Sequence, residues 1–147
     1  MAKFRYSLQS VLNIKVKMES QKKQEFAAAM NALSEEEAKL AFLEEKKASH
    51  EVRAKELLQG KLDFQEIQEN RQTILFLEER IVLQKERIKA AENVLEAARR
   101  ALEEIIKERK TYENLREKAF EAYLQEENRA ESKSIDELTS YTYNREH

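Results

Sequence analysis

The sequence contains a single glycine, Gly60, and no proline in 147 residues. Chain reversals draw on Gly, Pro, Asn and Asp for backbone angles that other residues resist. A sheet protein or an α/β enzyme of this length needs many more such positions than this chain offers. The sequence therefore predicts an all-α fold with one sharp reversal.

Charged residues make up 38% of the chain, with 27 Lys or Arg against 29 Asp or Glu. That composition is typical of long, exposed helices. A disordered chain of similar charge would lack the regular Leu and Ile positions described below.

Several chemistries are excluded by the same counts. Phosphate-binding loops need at least two glycines at fixed spacing, so both nucleotide-binding fingerprints are ruled out. The absence of Cys excludes disulfides, thiolate nucleophiles and zinc-finger sites. His50 lies on an apolar seam, where a register-fixing polar residue explains it better than a metal ligand does. We expect no enzymatic activity, no cofactor and no metal.

The second half carries an unbroken heptad series of large aliphatic residues, which is the pattern of a coiled-coil seam. A weaker seam in the first half is interrupted by Glu36 and His50. The second-half series and its companion positions are Ile67, Ile74, Ile81, Ile88, Leu95, Leu102, Leu77, Ala91, Ala98 and Ile105; the first-half ones are Phe26, Leu33, Leu40, Lys47, Ala54, Ala29, Leu43 and Leu57.

Signals for a turn cluster between the seams. Gly60 can adopt positive φ after a helix, and Asp63 with Glu66 has the spacing of a capping box. We therefore predict a long antiparallel two-helix coiled coil, a single hairpin, with helix one over about 7–59, the turn at 60–63, helix two over about 64–132, and a partly disordered tail at 133–147.

The hairpin geometry predicts which residues face each other and which stay open. Facing residues have numbers that sum to about 121, so helix two overhangs helix one by some twenty residues. Apolar residues off the seam form an exposed stripe, which usually marks a partner surface. The stripe comprises Phe42, Leu75, Phe76, Val82 and Leu83, while Phe4, Tyr6, Tyr112, Phe120 and Tyr123 gather at the open end.

Charge and hydropathy argue against nucleic acid as a partner and against insertion in a membrane. The local excess of basic residues near the N-terminus stands against a net charge of −2 for the whole chain, so nucleic acid is not expected as a partner. No apolar run approaches the length of a signal peptide or of a membrane span. We expect a cytoplasmic protein without direct membrane insertion.

Three features of the chain form a recognisable pattern: residues 4–12, Phe-Arg-Tyr-Ser-Leu-Gln-Ser-Val-Leu, the turn near Gly60, and the segment that begins Glu-Ser-Lys-Ser-Ile at residue 131. In their order and spacing, and in the total length of the chain, they resemble the flagellar export protein FliJ family. The resemblance implies a stalk-like, non-enzymatic component of the type III export apparatus, held at the cytoplasmic face of the inner membrane. The implied partners are the export ATPase hexamer, the cytoplasmic domain of the export gate, and substrate chaperones.

Two sets of contact residues follow from this resemblance and the exposed stripe. By motif matching, the gate-contacting face of the family corresponds to Leu43, His50, Leu77 and Gln84. We expect one set, the ring set, to dock in the ATPase ring, and the other, the gate set, to contact the gate. The ring set is Leu8, Val11, Leu12, Phe120, Tyr123 and Leu124; the gate set is Phe42, Leu43, His50, Phe76, Leu77, Leu83 and Gln84.

Three alternatives remain open from the sequence. The exposed stripe could close a four-helix bundle in a homodimeric scaffold. The chain could be the related stalk protein of a virulence type III secretion system. A nucleic-acid binder with a basic end would instead show steeply salt-dependent binding to DNA.

Overall fold

A computed structural model describes residues 3–146, and within them the fold is an all-α helical hairpin. Helix α1 runs over Gln9–Leu57 and helix α2 over Phe64–Glu146, and the described residues contain no strand. The predicted fold class is confirmed. Helix α1 is two residues shorter at each end than predicted, because residues 7–8 form a turn before it and residues 58–63 form the connection after it.

The connection uses the residues that the turn signals indicated. Gly60 has φ +72°, and a side chain placed there would meet no atom within 4 Å. Asp63 caps α2, because its Oδ1 accepts hydrogen bonds from the backbone N–H groups of Gln65 at 3.1 Å and Glu66 at 3.3 Å. The Glu66 carboxylate pairs across the turn with Arg53 at 2.7 Å.

The chain divides into two compact units, each built from a segment of both helices: residues 22–102, which include the turn, and residues up to Gln21 together with those from Glu103 onward. In the 22–102 unit both predicted seams face inward. Ala29, Leu57, Leu77 and Ile81 are buried there, and the other predicted seam residues of the unit are half-buried. Burial of these aliphatic side chains supplies the favourable free energy of packing.

Polar residues interrupt both seams of this unit at matching heights. Asn70 is 9% exposed and Gln84 is 5% exposed. His50 Nδ1 and Asn70 Oδ1 lie 3.0 Å apart, and Asn70 Nδ2 donates to the His50 carbonyl at 3.0 Å. Gln84 Nε2 donates to the Glu36 carbonyl at 2.9 Å. Both pairs have residue numbers that sum to about 120, which confirms the predicted register in this unit.

The other unit has its own small core and a buried ion pair. Leu12 and Ile105 are buried, at 6% and 4% exposure. Glu19 is 8% exposed, and its Oε2 lies 2.7 Å from Arg109 Nε. Burying a carboxylate costs free energy unless a cation pairs with it, so Arg109 compensates the charge of Glu19.

The C-terminal segment is helical where the sequence predicted otherwise. Helix α2 passes the boundary predicted at residue 132 and ends at Glu146, so the predicted disorder over 133–146 is not seen; His147 lies outside the described residues. The side chains of residues 128–145 are all exposed. Extending an existing helix adds one hydrogen bond per residue without a new nucleation step, and this segment contains no Gly or Pro to stop it.

Candidate docking surfaces

An apolar groove lies between α1 and α2 in the 22–102 unit, and six of the seven predicted gate residues line it. Its volume is about 560 Å³. Leu77 is buried and Leu43 half-buried, whereas Phe42, Phe76 and Leu83 are 59%, 54% and 50% exposed. We call this the Phe42/Phe76 groove; its lining residues are Ala38, Lys39, Phe42, Leu43, Lys46, Phe76, Leu77, Arg80, Leu83, Gln84 and Arg87.

Gln84 anchors one end of the groove to the opposite helix. Besides its bond to the Glu36 carbonyl, its side-chain amide donates to the Glu36 carboxylate. That hydrogen bond, together with nearby Lys39, lowers the pKa of Glu36 below its usual value, against the opposing effect of desolvation. Gln84 is therefore a structural link between the helices as well as a lining residue.

The two phenylalanines of the groove each carry a cation. Lys46 Nζ lies 5.4 Å from the centre of the Phe42 ring, and Arg80 Cζ lies 5.1 Å from the centre of the Phe76 ring. At exposed sites such contacts stabilise by about 0.5–1 kcal/mol. The rings remain more than half exposed, so the cations do not replace a packing partner.

His50, the seventh predicted gate residue, does not line the groove. It is half-buried and bonded to Asn70, and it borders a smaller depression with Arg53 and Thr73. The predicted sum of about 121 puts residue 71 opposite His50, and the structure places Asn70 there. A signal for this partner was present in the sequence, because Asn70 and Gln84 occupy companion positions three residues after Ile67 and Ile81.

A second apolar groove, near the turn, was not predicted. It encloses about 340 Å³ between α1 and α2. Its signal was the cluster of apolar residues on both sides of Gly60, which sequence reasoning used only to locate the turn. The lining residues are Ala54, Leu57, Leu58, Ile67, Asn70, Arg71, Ile74 and Leu75.

In the other unit, three aromatic rings meet near the start of the described chain. The Phe4 ring packs edge-on against Phe120 with centroids 5.1 Å apart, and it lies 5.5 Å from the ring of Tyr123. Arg116 Cζ lies 5.8 Å from the centre of the Phe4 ring. Aromatic pairs of this geometry add about 0.5–1.5 kcal/mol beyond their buried area. They hold the N-terminal residues against α2.

The six predicted ring-docking residues all belong to the unit formed by residues up to Gln21 and from Glu103 onward. Their side chains differ in exposure. Leu8, Phe120 and Leu124 are 38%, 42% and 44% exposed, while Val11 and Tyr123 are half-buried. Leu12 is buried, so its side chain offers a partner almost no surface. Tyr6 donates its hydroxyl to the Tyr112 carbonyl at 3.1 Å, which ties the segment before α1 to α2. We call the six residues the open-end surface.

The described residues hold no cluster of three or more His, Asp or Glu side chains suited to a metal ion. Within the same residues, neither helix has a stretch long and apolar enough to cross a membrane. The features that this chain does present are grooves and exposed apolar residues on paired helices.

These features define a class: an all-α hairpin with apolar grooves and exposed apolar side chains on its paired helices. The sequence profile of the family described as "Flagellar FliJ protein" matches residues 4–147. The chain belongs to this FliJ family, and it is therefore a component of the flagellar export apparatus. No curated protein and no solved structure matches it.

Proposed function

We propose that the protein acts as a stalk-like coiled coil that docks in the ring of the export ATPase and promotes its assembly and activity. The open-end surface supports this proposal, because Leu8 before α1 and Phe120 and Leu124 on α2 are exposed, and the Phe120 ring packs against Phe4. Large apolar side chains left exposed beside an ordered core are typical of an interface.

Adding the chain to purified export ATPase tests the ring assignment. We expect stimulated turnover with the unaltered chain and loss of most of that stimulation with Phe120→Ser combined with Leu124→Ser. The matched control is Val52→Ser with Val94→Ser, which removes two apolar side chains of the 22–102 unit that are 58% and 60% exposed. Equal stimulation by both double variants would contradict the assignment.

We further propose that the Phe42/Phe76 groove contacts the cytoplasmic domain of the export gate. The observation that carries this step is the exposure of Phe42, Phe76 and Leu83 around one concavity. In a pull-down, Phe76→Ala combined with Leu83→Ala should lose the gate domain, while Val52→Ala with Val94→Ala should retain it. Unchanged binding by the groove variant would refute the assignment. Contacts with substrate chaperones belong to the same proposal, without assigned residues.

A homodimeric scaffold is the competing function. The exposed stripe of α2, including Leu75 and Val82 at 50% and 59% exposure, could pack on a second copy. Sedimentation equilibrium separates the two functions, because the stalk is expected to remain monomeric at micromolar concentration. A dimer that dissociates on dilution would favour the scaffold.

A further inference from the structure

The charged side chains that line the Phe42/Phe76 groove are all cations, and the carboxylate of Glu36 contacts two lining residues, Gln84 and Lys39. Four of the groove's lining residues are cations, and no lining residue is Asp or Glu. Lys39 is paired, with its Nζ 3.3 Å from Glu36. Within residues 3–146, no carboxylate oxygen lies within 4.0 Å of the cationic nitrogens of the other three, which are Lys46, Arg80 and Arg87. Arg87 is nevertheless close enough to Glu36 to contribute to the lowering of its pKa.

This charge is notable because the unit around the groove is rich in carboxylates. Some other cations of the unit are paired: Lys47 lies 3.6 Å from Glu51 and 3.5 Å from Glu78, and Arg53 lies 2.7 Å from Glu66. At the groove, Lys46 and Arg80 instead lie over aromatic rings. The groove thus keeps cationic groups at its rim that a partner's carboxylates can reach.

We propose that the groove binds an acidic amphipathic helix of a partner protein. Two or three apolar side chains on one face of that helix would fill the space between Phe42, Phe76 and Leu83, and its flanking carboxylates would pair with Lys46, Arg80 and Arg87. The inference rests on the proposed function, in which this groove is a docking face, and it specifies the chemistry of the docked segment.

The dimensions of the groove set the length of the bound segment. Lining residues extend over 38–46 of α1 and 76–87 of α2, which correspond to about 12 Å and about 17 Å of helix at 1.5 Å per residue. A bound helix therefore contacts the groove over about two to three turns. Apolar anchors at positions i, i+3 or i+4, and i+7 match that span.

An acidic peptide fits better than a nucleic acid or an anionic membrane. A phosphate backbone has no apolar side chains for the concave surface formed by Leu43 and Leu77. A membrane surface is flat on this scale, so it would leave the buried part of the groove unfilled. A groove with an apolar interior and a cationic rim is complementary to a single helix that carries both apolar side chains and carboxylates.

Two synthetic helical peptides of about twelve residues provide the probe. Both carry the same apolar residues at i, i+4 and i+7, and one has Glu at the flanking positions where the other has Lys. With the full-length chain, fluorescence anisotropy should show the acidic peptide binding at least about ten-fold more tightly at low salt. The preference should shrink as salt rises, because screening weakens exposed ion pairs.

Charge reversal tests the location. Lys46→Glu with Arg80→Glu should invert the preference between the two peptides, and Phe42→Ser with Phe76→Ser should abolish binding of both. The control is Lys23→Glu with Lys89→Glu, which makes the same charge change at exposed residues of the same unit outside the groove lining. Circular dichroism establishes that each variant retains its helices.

Several results would overturn the inference. These are equal binding of the two peptides, an equal effect of the control pair, tighter binding to anionic vesicles than to the acidic peptide, or self-association of the chain that the groove variants abolish. The two proposals can fail separately. If gate binding depends on Phe76 and Leu83 but the groove shows no preference for the acidic peptide over the basic one, only the inference of an acidic helix is refuted.

Discussion

Gln84 of α2 donates its side-chain amide to the backbone carbonyl of Glu36 on α1, at 2.9 Å, from a position that is only 5% exposed. Fourteen residues away on each helix, Asn70 and His50 make the equivalent cross-helix pair. Buried polar groups lose their contacts with water on folding, so each needs a partner in the folded state. The residues that interrupt the seam of α1, Glu36 and His50, are therefore paired with those that interrupt the seam of α2. Glu36 pairs with Gln84, and His50 pairs with Asn70.

A double-mutant cycle at His50 and Asn70 measures one of these links. Asn70→Leu removes a hydrogen bond to the His50 carbonyl and leaves the His50 ring without its partner. We expect each single Leu substitution to lower the free energy of unfolding by about 1–2 kcal/mol. The double variant should lose less than the sum, with a coupling of about 0.5–2 kcal/mol in urea denaturation.

Gln72→Leu serves as the control for that cycle, because Gln72 is exposed on the same helix. It should change the free energy of unfolding by less than about 0.5 kcal/mol. Strict additivity of His50→Leu and Asn70→Leu would mean that the observed contact does not contribute to stability.

Gly60 should be sensitive to substitution for a purely conformational reason. With φ at +72° and no atom near a would-be Cβ, Gly60→Ala meets strain and no clash. We expect a loss of about 1–2 kcal/mol in the free energy of unfolding. Gly60→Asn should lose less, since Asn tolerates positive φ better than Ala. Equal losses for Ala and Asn in urea denaturation would contradict this explanation.

Glu96 should titrate at unusually low pH. Hydrogen bonds from Arg99, with a further contribution from Arg100, lower its pKa from 4.5 to about 2, although partial burial opposes the shift. A lowered folded-state pKa means that the contribution to stability is present above pH 4.5 and is lost as the pH falls towards 2. Carboxyl chemical shifts in an NMR titration measure this pKa directly.

The variant for that titration is Arg99→Gln with Arg100→Gln, which should bring the pKa of Glu96 back towards 4.5. Glu96→Gln should show a smaller loss of stability between pH 4.5 and pH 2 than the unaltered chain. A Glu96 pKa that stays at about 2 in the double variant would show that these arginines are not the cause.

Truncation after Ser132 tests the helical state of the C-terminal segment. Residues 133–146 make up about one tenth of the helical residues. Removing them should lower the helical circular dichroism signal per molecule by a similar fraction. The free energy of unfolding should change by less than about 0.5 kcal/mol, because the side chains of residues 133–145 are exposed. An unchanged signal per molecule would indicate that the segment is not helical in solution.

Periodicity predicted the packed parts of this fold well, since a heptad seam is itself the consequence of packing. Ile81, Leu77 and Leu57 are buried as their positions required. The end of α2 escaped prediction because a helical segment with exposed side chains leaves no apolar period in its sequence. Its extent depends on local propagation, which the absence of Gly and Pro favours without specifying.

The candidate sites were predicted unevenly for a related reason. Exposed Phe42 and Phe76 could be placed from their offset to the seam, and the structure brings both to one groove. The partnership of Gln84 with Glu36 requires knowledge of the cross-helix register to within one residue, which a turn of uncertain length does not supply. The cationic rim was missed because Lys46, Arg80 and Arg87 are unremarkable in so charged a sequence.

The two polar pairs also limit how the helices can slide along each other. A displacement of one heptad would set His50 opposite Leu77, Glu36 opposite Ala91, Gln84 opposite Leu43 and Asn70 opposite Leu57. Every polar group would then face a hydrocarbon surface at once, while the aliphatic seams alone would tolerate the shift. A mechanical load along the helices would therefore be resisted first at the His50–Asn70 and Glu36–Gln84 pairs.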